Sequence, residues 1–378
     1  MRFSISASGG VSRLPNLARW LESRNMLHLF IIPGLKKSAE LPNSVKLGRI
    51  CALLWIAMAK TRRIRRAKEY ERYMVDQFID WHAASRLCPG STHFIAESQI
   101  GLFSLKMAKR LGMRTFIDRT NTHILHQNEI LADEYNRLGL NAKASKDIVV
   151  NKGIAEYEEA DGIFVLSNFV KKTFVDKGVP SKKLLLVPSG IDTSLFVRNS
   201  SLRPSEFTIL FVGAIAVKKG AHILLEAFRQ LNLPKAKLVI IGPIVKELSE
   251  LYMRHAGANI KHYRYVPHYD LPVFYNSASI LLIPSLEEGL PKVMLEGMAC
   301  GLPAIATINS GAEDVITNGV DGFVYSYSSM DQLKAAIVYC YENRDALHDM
   351  SLAAEKTAHS RFSLEAYHMR WLEAIETF

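Results

Sequence analysis

The sequence predicts an α/β protein of two doubly wound domains. Three observations predict it. At 378 residues the chain suits two domains of roughly 150–200 residues each. Short apolar runs alternate with helix-length amphipathic segments from end to end, the pattern of parallel α/β sheets. A Gly-, Pro- and Ser-rich stretch near the middle breaks that rhythm, which restarts beyond it. Apolar residues make up 48% of the chain, enough for two cores.

The elements follow in order. In a first Rossmann-like domain, residues 1–188, strands are expected at Arg2–Ser6, Leu27–Ile32, His93–Ala96, Arg114–Ile117 and Gly162–Leu166. Helical stretches separate them at Val11–Ser23, Gly101–Leu111 and about Ile124–Leu138, while residues 35–90 show no clear period. The linker, 189–206, runs from Ser189-Gly190-Ile191-Asp192 through Asn199, Ser200, Ser201, Pro204 and Ser205. A second Rossmann-like domain, 207–360, has strands expected at Ile209–Val212, Lys237–Ile241, Ile260–Tyr265, Ile280–Ile283, Ala304–Ala306 and Phe323–Tyr325, with a helix from about Gly220 to Leu231. Residues 361–378 carry Phe362, Leu364, Tyr367, Trp371, Leu372 and Ile375 at helical spacing, and are expected to form a helix closing back toward the first domain. Two such domains facing each other would leave a cleft at the carboxyl ends of their strands, where open α/β sheets bind ligands.

The formal net charge is +10, and much of it is local: Lys60, Arg62, Arg63, Arg65, Arg66 and Lys68 lie within nine residues. Before them runs the apolar segment Ile50–Ala59, about half the ~20 residues that span a bilayer. A transmembrane helix is therefore excluded. An apolar segment beside a basic cluster fits either an anionic membrane surface, through residues 50–68, or a core helix leading into a solvated basic face. No motif interleaves aromatic and basic residues in the manner of nucleic-acid binding, so no nucleic-acid partner is expected. Cys51, Cys88, Cys300 and Cys340 lack metal-ligand spacing, and four buried thiols in a reducing compartment are expected. No secretory signal is visible at Met1-Arg2-Phe3-Ser4, so the expected location is cytoplasmic, with a peripheral place on the inner membrane face as the variant.

The chemistry concentrates between Pro284 and Pro303. A buried strand ends at Pro284, Pro291 fits the first position of a helix, and Gly301 sits where a C-terminal cap belongs. The turn offers the N–H groups of Gly289 and Leu290 at a helix N-terminus, a ready site for an anion. Glu288 lies at its mouth. Glu296, on the second turn of that helix and followed by Gly297, can accept two hydroxyl hydrogen bonds at once, as a ribose diol requires. Either glutamate alone fits the N-terminal half of a helix through its dipole; the combination with the Gly-Leu-Pro turn points to a ligand site.

Glu288, seven residues, then Glu296 resembles the E-x7-E signature of the family-4 retaining glycosyltransferases of the GT-B fold. The whole run resembles the family pattern P-S-x-x-E-G-x-P-x-x-x-L-E-x-M-A-x-G-x-P. Ala160–Ser167 and Val187–Asp192 are similar to the crossover into the second domain, Ser8-Gly9-Gly10-Val11 to the first Gly-rich loop, and His268–Leu271 with Tyr275 to the segment passing the nucleotide base. The resemblance implies a second domain that binds a nucleotide-diphosphate sugar. Glu296 would hold the ribose hydroxyls and Glu288 the transferred sugar. Gly289, Leu290 and Pro291 would lie beside sugar and diphosphate, and the backbone near Val266 would meet the base. Gly213–Gly220 resembles the loop G-R-L-x-x-x-K-G, so Gly213 and Lys219 are donor-binding candidates, Lys219 contacting the diphosphate. The arginine position of that loop holds Ala214, which cannot supply a bidentate, permanently charged fork; either Lys218 or a first-domain residue takes its place, or the leaving group is held more loosely. Gly10 would let backbone approach the donor or acceptor.

On the acceptor side, Asp118-Arg119-Thr120-Asn121-Thr122-His123 is similar to an E-R-x-S-x-H segment of some bacterial members. His123 is thereby a candidate to contact the transferred sugar or the acceptor, with Glu97, Asp118 and Arg119 beside it. What the resemblance implies is transfer with retention, without metal or other cofactor, to a glycan or lipid-linked acceptor in envelope polysaccharide or glycoconjugate synthesis. A nucleotide-sugar epimerase of the same fold and a non-catalytic sugar-nucleotide-binding protein are the alternatives. Neither the sugar, the base nor the acceptor follows from these residues.

Overall fold

The computed structural model describes residues 1–8, 12–32, 44–46, 68–140 and 145–378. Gly10, with its neighbours Gly9 and Val11, and the basic, apolar-flanked segment 50–67 lie outside them, as does Cys51. The described chain divides into two units: residues 1–120, 145–165 and 179–185 form one, and 121–144, 166–178 and 186–378 the other. The division is not a single cut near residue 190, because two segments N-terminal to the expected linker group with the second unit.

The first unit is built on the strands β1 (Phe3–Ser6), β2 (Leu27–Ile32), β3 (Ser44–Lys46), β4 (His93–Glu97), β5 (Arg114–Asp118), β6 (Gly162–Val165) and β7 (Leu184–Leu186). They run in the order β3-β2-β1-β4-β5-β6-β7, with parallel pairing from β3 to β6. Phe3, Ile5, Phe94, Phe116 and Ile163 are fully buried, as strands covered on both faces require. β4 and β5 each extend one residue beyond the apolar run, and Glu97 pairs with Asp118 in register. The first helix starts at Leu14, not Val11, with Pro15 in its first turn, where a missing N–H costs nothing. Helix Lys68–Arg86 fills the stretch without visible period; Met74 and Trp81 on it are exposed, which blurs the apolar stripe.

The second unit contains β8 (Thr208–Val212), β9 (Lys237–Ile241), β10 (Ile260–Tyr263), β11 (Ile280–Ile283), β12 (Ala304–Thr307) and β13 (Gly322–Tyr325). Their order is β10-β9-β8-β11-β12-β13, all parallel. The order reverses between β8 and β11, so a crevice opens beyond their carboxyl ends. Two glycines bring the loops there into contact. Gly242 has φ +146°, and a Cβ on it would meet Gly213 O at 2.0 Å. Gly220 has φ +64°, and a Cβ would meet Pro284 O at 1.7 Å, so the turn before helix Ala221–Leu231 packs directly on the end of β11.

Helix Lys292–Ala299 follows β11 and ends at Gly301 in the left-handed region, φ +71°. Leu302 N–H reaches Gly297 O and Gly301 N–H reaches Met298 O, both at 2.9 Å, a closed glycine cap. Cys300 and Cys340 are buried, but Cys88 is exposed, which corrects the expectation of buried thiols. The last helix, Leu364–Glu376, buries Tyr367, Trp371 and Ile375; Ile191 pairs with Ser363 at its start. Among the described residues no helix is long and apolar enough to cross a membrane.

Candidate functional site at the second sheet's switch point

The loop leaving β8 carries Gly213, Lys218 and Lys219, and the turn leaving β11 runs from Pro284 to Pro291. Leu286 N–H donates to Lys218 O at 3.0 Å, and Glu288 N–H to Asn309 O at 3.0 Å, which fixes the turn at both ends. Gly289 O accepts from Ser167 Oγ at 2.8 Å. The N–H groups of Gly289 and Leu290 take no acceptor among the described residues. The Leu290 side chain is buried in the core, leaving only its backbone for a ligand. Pro291 is the N-cap of the helix, at φ −68° and ψ 121°; the helix begins at Lys292, one residue later than the expected start, because the extended ψ of Pro291 keeps it out of the first turn.

Lys219 Nζ pairs with Glu288 Oε2. This joins the two candidates that the sequence places 69 residues apart. Lys218 does not stand free to replace the missing arginine. Its Nζ lies 2.7 Å from Glu287 Oε2. Glu287 is completely buried and accepts from Thr122 N and Oγ1, each at 2.8 Å, and from Gln127 Nε2 at 2.9 Å. Burial alone would raise its pKa; Lys218 and the Thr122 donors overcome that and hold it down to about 2. Glu287 was not singled out in the sequence, and its partners Thr122 and Gln127 lie 165 and 160 residues away.

Glu296 is also buried. His268 Nε2 lies 2.9 Å from Oε1, and the Tyr275 hydroxyl donates to Oε2 at 3.0 Å. The bond to Glu296 raises the His268 pKa against the effect of burial, and burial with the nearby carboxylate raises that of Tyr275 well above its ordinary value. The space beside Gly297 is filled by Leu281 and the Tyr275 ring, since a Cβ there would lie 2.8 Å from Leu281 Cδ2. Val266 is half-buried against the same core cluster, between β10 and His268.

The segment Asp118–His123 is divided between the units. Asp118 is buried in the first, held bidentately by Arg13 Nε at 2.9 and 3.1 Å, so it is a structural partner of the first helix. Arg119 is buried, its N–H bound to Phe164 O at 3.1 Å. Glu97 Oε2 accepts from Ser8 N and Oγ, both at 2.8 Å, at the first sheet's own reversal between β1 and β4; burial pushes its carboxyl up. His123 belongs to the second unit. It caps helix Ile124–Arg137, its Nδ1 accepting from Leu125 N at 3.3 Å, and its N–H binds Thr173 Oγ1 at 3.0 Å. Arg13, the ion-pair partner, has no sequence signal, being one basic residue among 47. Among the described residues no cluster of three or more His, Cys, Asp or Glu could hold a metal ion.

Residues 194–357 match the family model described as glycosyl transferases group 1. The amylovoran biosynthesis glycosyltransferase AmsK of Erwinia amylovora is 25% identical over 228 residues, 56% of this chain and 55% of that protein. The chain thus spans little more than half the length of the curated relatives it matches. Among solved structures, sucrose-phosphate synthase from Thermosynechococcus elongatus is similar with a TM-score of 0.76, at 16% identity, over 100% of this chain and 98% of that one. Anabaena HepE in complex with UDP-glucose is similar with a TM-score of 0.69, at 16% identity, over 100% of both chains. At these identities the structural likeness shows a fold, two doubly wound sheets of the GT-B kind.

Proposed function

We propose that this chain, a member of the group 1 glycosyltransferases through residues 194–357, moves a sugar with retention from a nucleoside-diphosphate donor to a glycan or lipid-linked hydroxyl in polysaccharide synthesis. The observation that carries this is the pairing of Lys219 with Glu288 at the β8–β11 switch point, beside the unpaired N–H groups of Gly289 and Leu290. A diphosphate placed there meets an ammonium, two N–H donors and a helix N-terminus. Glu296 is held by two donors, and a carboxylate has about four lone-pair sites, so a ribose diol can share it. The relatives' roles, amylovoran synthesis and UDP-glucose binding, support a donor and product of this class.

The reaction needs no more of the protein than positioning and charge. The bond from the anomeric carbon to the diphosphate oxygen breaks as the acceptor oxygen adds on the same face, and the acceptor's proton passes to the departing phosphate. Lys219 and the turn N–H groups stabilise the charge growing on that phosphate, usually the largest catalytic contribution, and no metal is required for it. Glu288 steadies positive charge at the anomeric carbon. Glu288→Ala and Glu296→Ala are each expected to lower transfer by more than about tenfold, one 1.4 kcal/mol step or more, without unfolding the protein, as circular dichroism checks. A thermal-shift screen of nucleotide sugars identifies the donor for that assay; full activity in both variants would overturn the assignment. The same proposal includes a cytoplasmic location with residues 50–68 against an anionic membrane; flotation with anionic vesicles that is lost in high salt is expected, and flotation equal with neutral vesicles counts against it.

A further inference from the structure

The second sheet has a second ligand-sized feature at its opposite, amino-terminal edge. A cavity of about 290 Å³ is lined there by Arg198, Arg203, Arg344, His348, Ser279 and Tyr275. Ser279 directly precedes β11, so this cavity lies at the start of the strand whose far end carries Glu288.

Its charge is almost uncompensated. Among the described residues, neither Arg203 nor Arg344 has a carboxylate partner. Arg203 donates to Ser351 Oγ at 2.8 Å and lies 2.9 Å from His348 Nδ1, both neutral acceptors. Arg344 reaches Ser279 Oγ at 3.4 Å and lies over the Phe207 ring at 5.0 Å. Arg198 Nε has Glu355 as an ion-pair partner at 3.8 Å, beyond hydrogen-bond distance, and is buried without a hydrogen bond among the described residues. Because His348 Nδ1 accepts from Arg203, its Nε2 bears the proton and is one more donor. Partial burial, and then the neighbouring Arg198, lower the Arg203 pKa.

We propose that this cavity binds a phosphate-bearing small molecule. Three planar guanidinium forks around one void match the tetrahedral, multiply charged phosphate group, and the volume leaves room for a small organic remainder. The cavity also touches the donor side. Tyr275 lines it and donates its hydroxyl to Glu296. Arg198 crosses Gly301, the cap of the helix that bears Glu296; a Cβ at Gly301 would lie 2.7 Å from Arg198 Cδ.

Calorimetric titration of inorganic phosphate and of glycerol 3-phosphate into the full chain, at physiological chloride, tests this. Saturable binding is expected, weakened by about tenfold or more in Arg203→Gln and in Arg344→Gln, and unchanged in Lys219→Gln. Preference for glycerol 3-phosphate indicates a phosphomonoester, and equal affinity indicates free phosphate; both support the site. No saturable binding by either probe, or binding lost only in Lys219→Gln, overturns it. Circular dichroism of each variant guards against misfolding, and Arg344→Gln, whose side chain is exposed, keeps the test open if Arg203→Gln does not fold. The outcome does not depend on sugar transfer, so it stands or falls apart from the proposed activity.

Discussion

Glu287 and Glu288 are adjacent in sequence, yet they face different demands. Glu288 meets Lys219 at the edge of the crevice, with a small part of its side chain still exposed, whereas Glu287 is sealed between Lys218, Thr122 and Gln127. A buried carboxylate with four donors anchors the segment 121–127 to the loop that carries both lysines, so it positions Lys219 without touching a ligand. Removing one partner of such a pair leaves an uncompensated charge. Glu287→Gln is therefore expected to cost about 3 kcal/mol at neutral pH, read from urea unfolding. It is also expected to raise the donor KM through a displaced Lys219 loop, with a smaller effect on kcat. A variant as stable as the parent would show that the network is ornamental. Glu288 and Glu296 were legible because their spacing lies within one turn and helix. Glu287 was not, because nothing local distinguishes it from any solvated glutamate beside a turn; its environment is made by residues 160 and 165 positions away.

At the level of elements, the strands were the legible part. β2, β9 and β11 match their apolar runs residue for residue, eight others shift by one or two positions, and the three-residue strands β3 and β7 had no expected counterpart. A strand buried on both faces writes its length directly into the sequence. Helices were legible only where their inward stripe is apolar. Helix Ala221–Leu231 buries seven consecutive or near-consecutive apolar and histidine positions and was found. Helix Asp147–Glu159 was missed because its inward stripe contains Lys152 and Glu156, both buried. Lys152 lies 3.4 Å from the buried Asp80. Glu156 accepts from Gln99 N at 2.7 Å and Gly101 N at 2.9 Å, satisfying donors at the start of helix Leu102–Arg110 that would otherwise be orphaned. Periodicity reads polar residues as exposed, and here they are the helix's packing surface. Gly220 and Gly242 show the converse. In the sequence Gly220 marks the start of a helix and Gly242 follows the run Lys237–Ile241; the close approach of Pro284 O and Gly213 O explains why no other residue fits.

On the scale of the whole chain, the two units carry buried carboxylates tuned in opposite directions, and this gives them opposite responses to pH. In the first unit, burial raises the Glu156 pKa to about 7 from an ordinary 4.5. The folded state therefore holds the proton more tightly. Its stabilising contribution is complete below about pH 4.5 and is lost as pH rises through 7, a loss of roughly 3 kcal/mol for a shift of that size. In the second unit Glu287 is held down to about 2, so its contribution is present above about pH 4.5 and is lost only as pH falls toward 2. Across about pH 5 to 8, then, Glu156 titrates in the folded protein and Glu287 does not. Urea unfolding over that window is expected to show Glu156→Gln gaining stability relative to the parent as pH rises. The penalty of Glu287→Gln should stay constant over the same range. Parallel curves for Glu156→Gln and the parent would mean that Glu156 is already ionised at the bottom of the window, with Lys152 rather than a proton balancing it. A Glu287→Gln penalty that shrinks between pH 8 and 5 would place its titration far higher than its four donors allow.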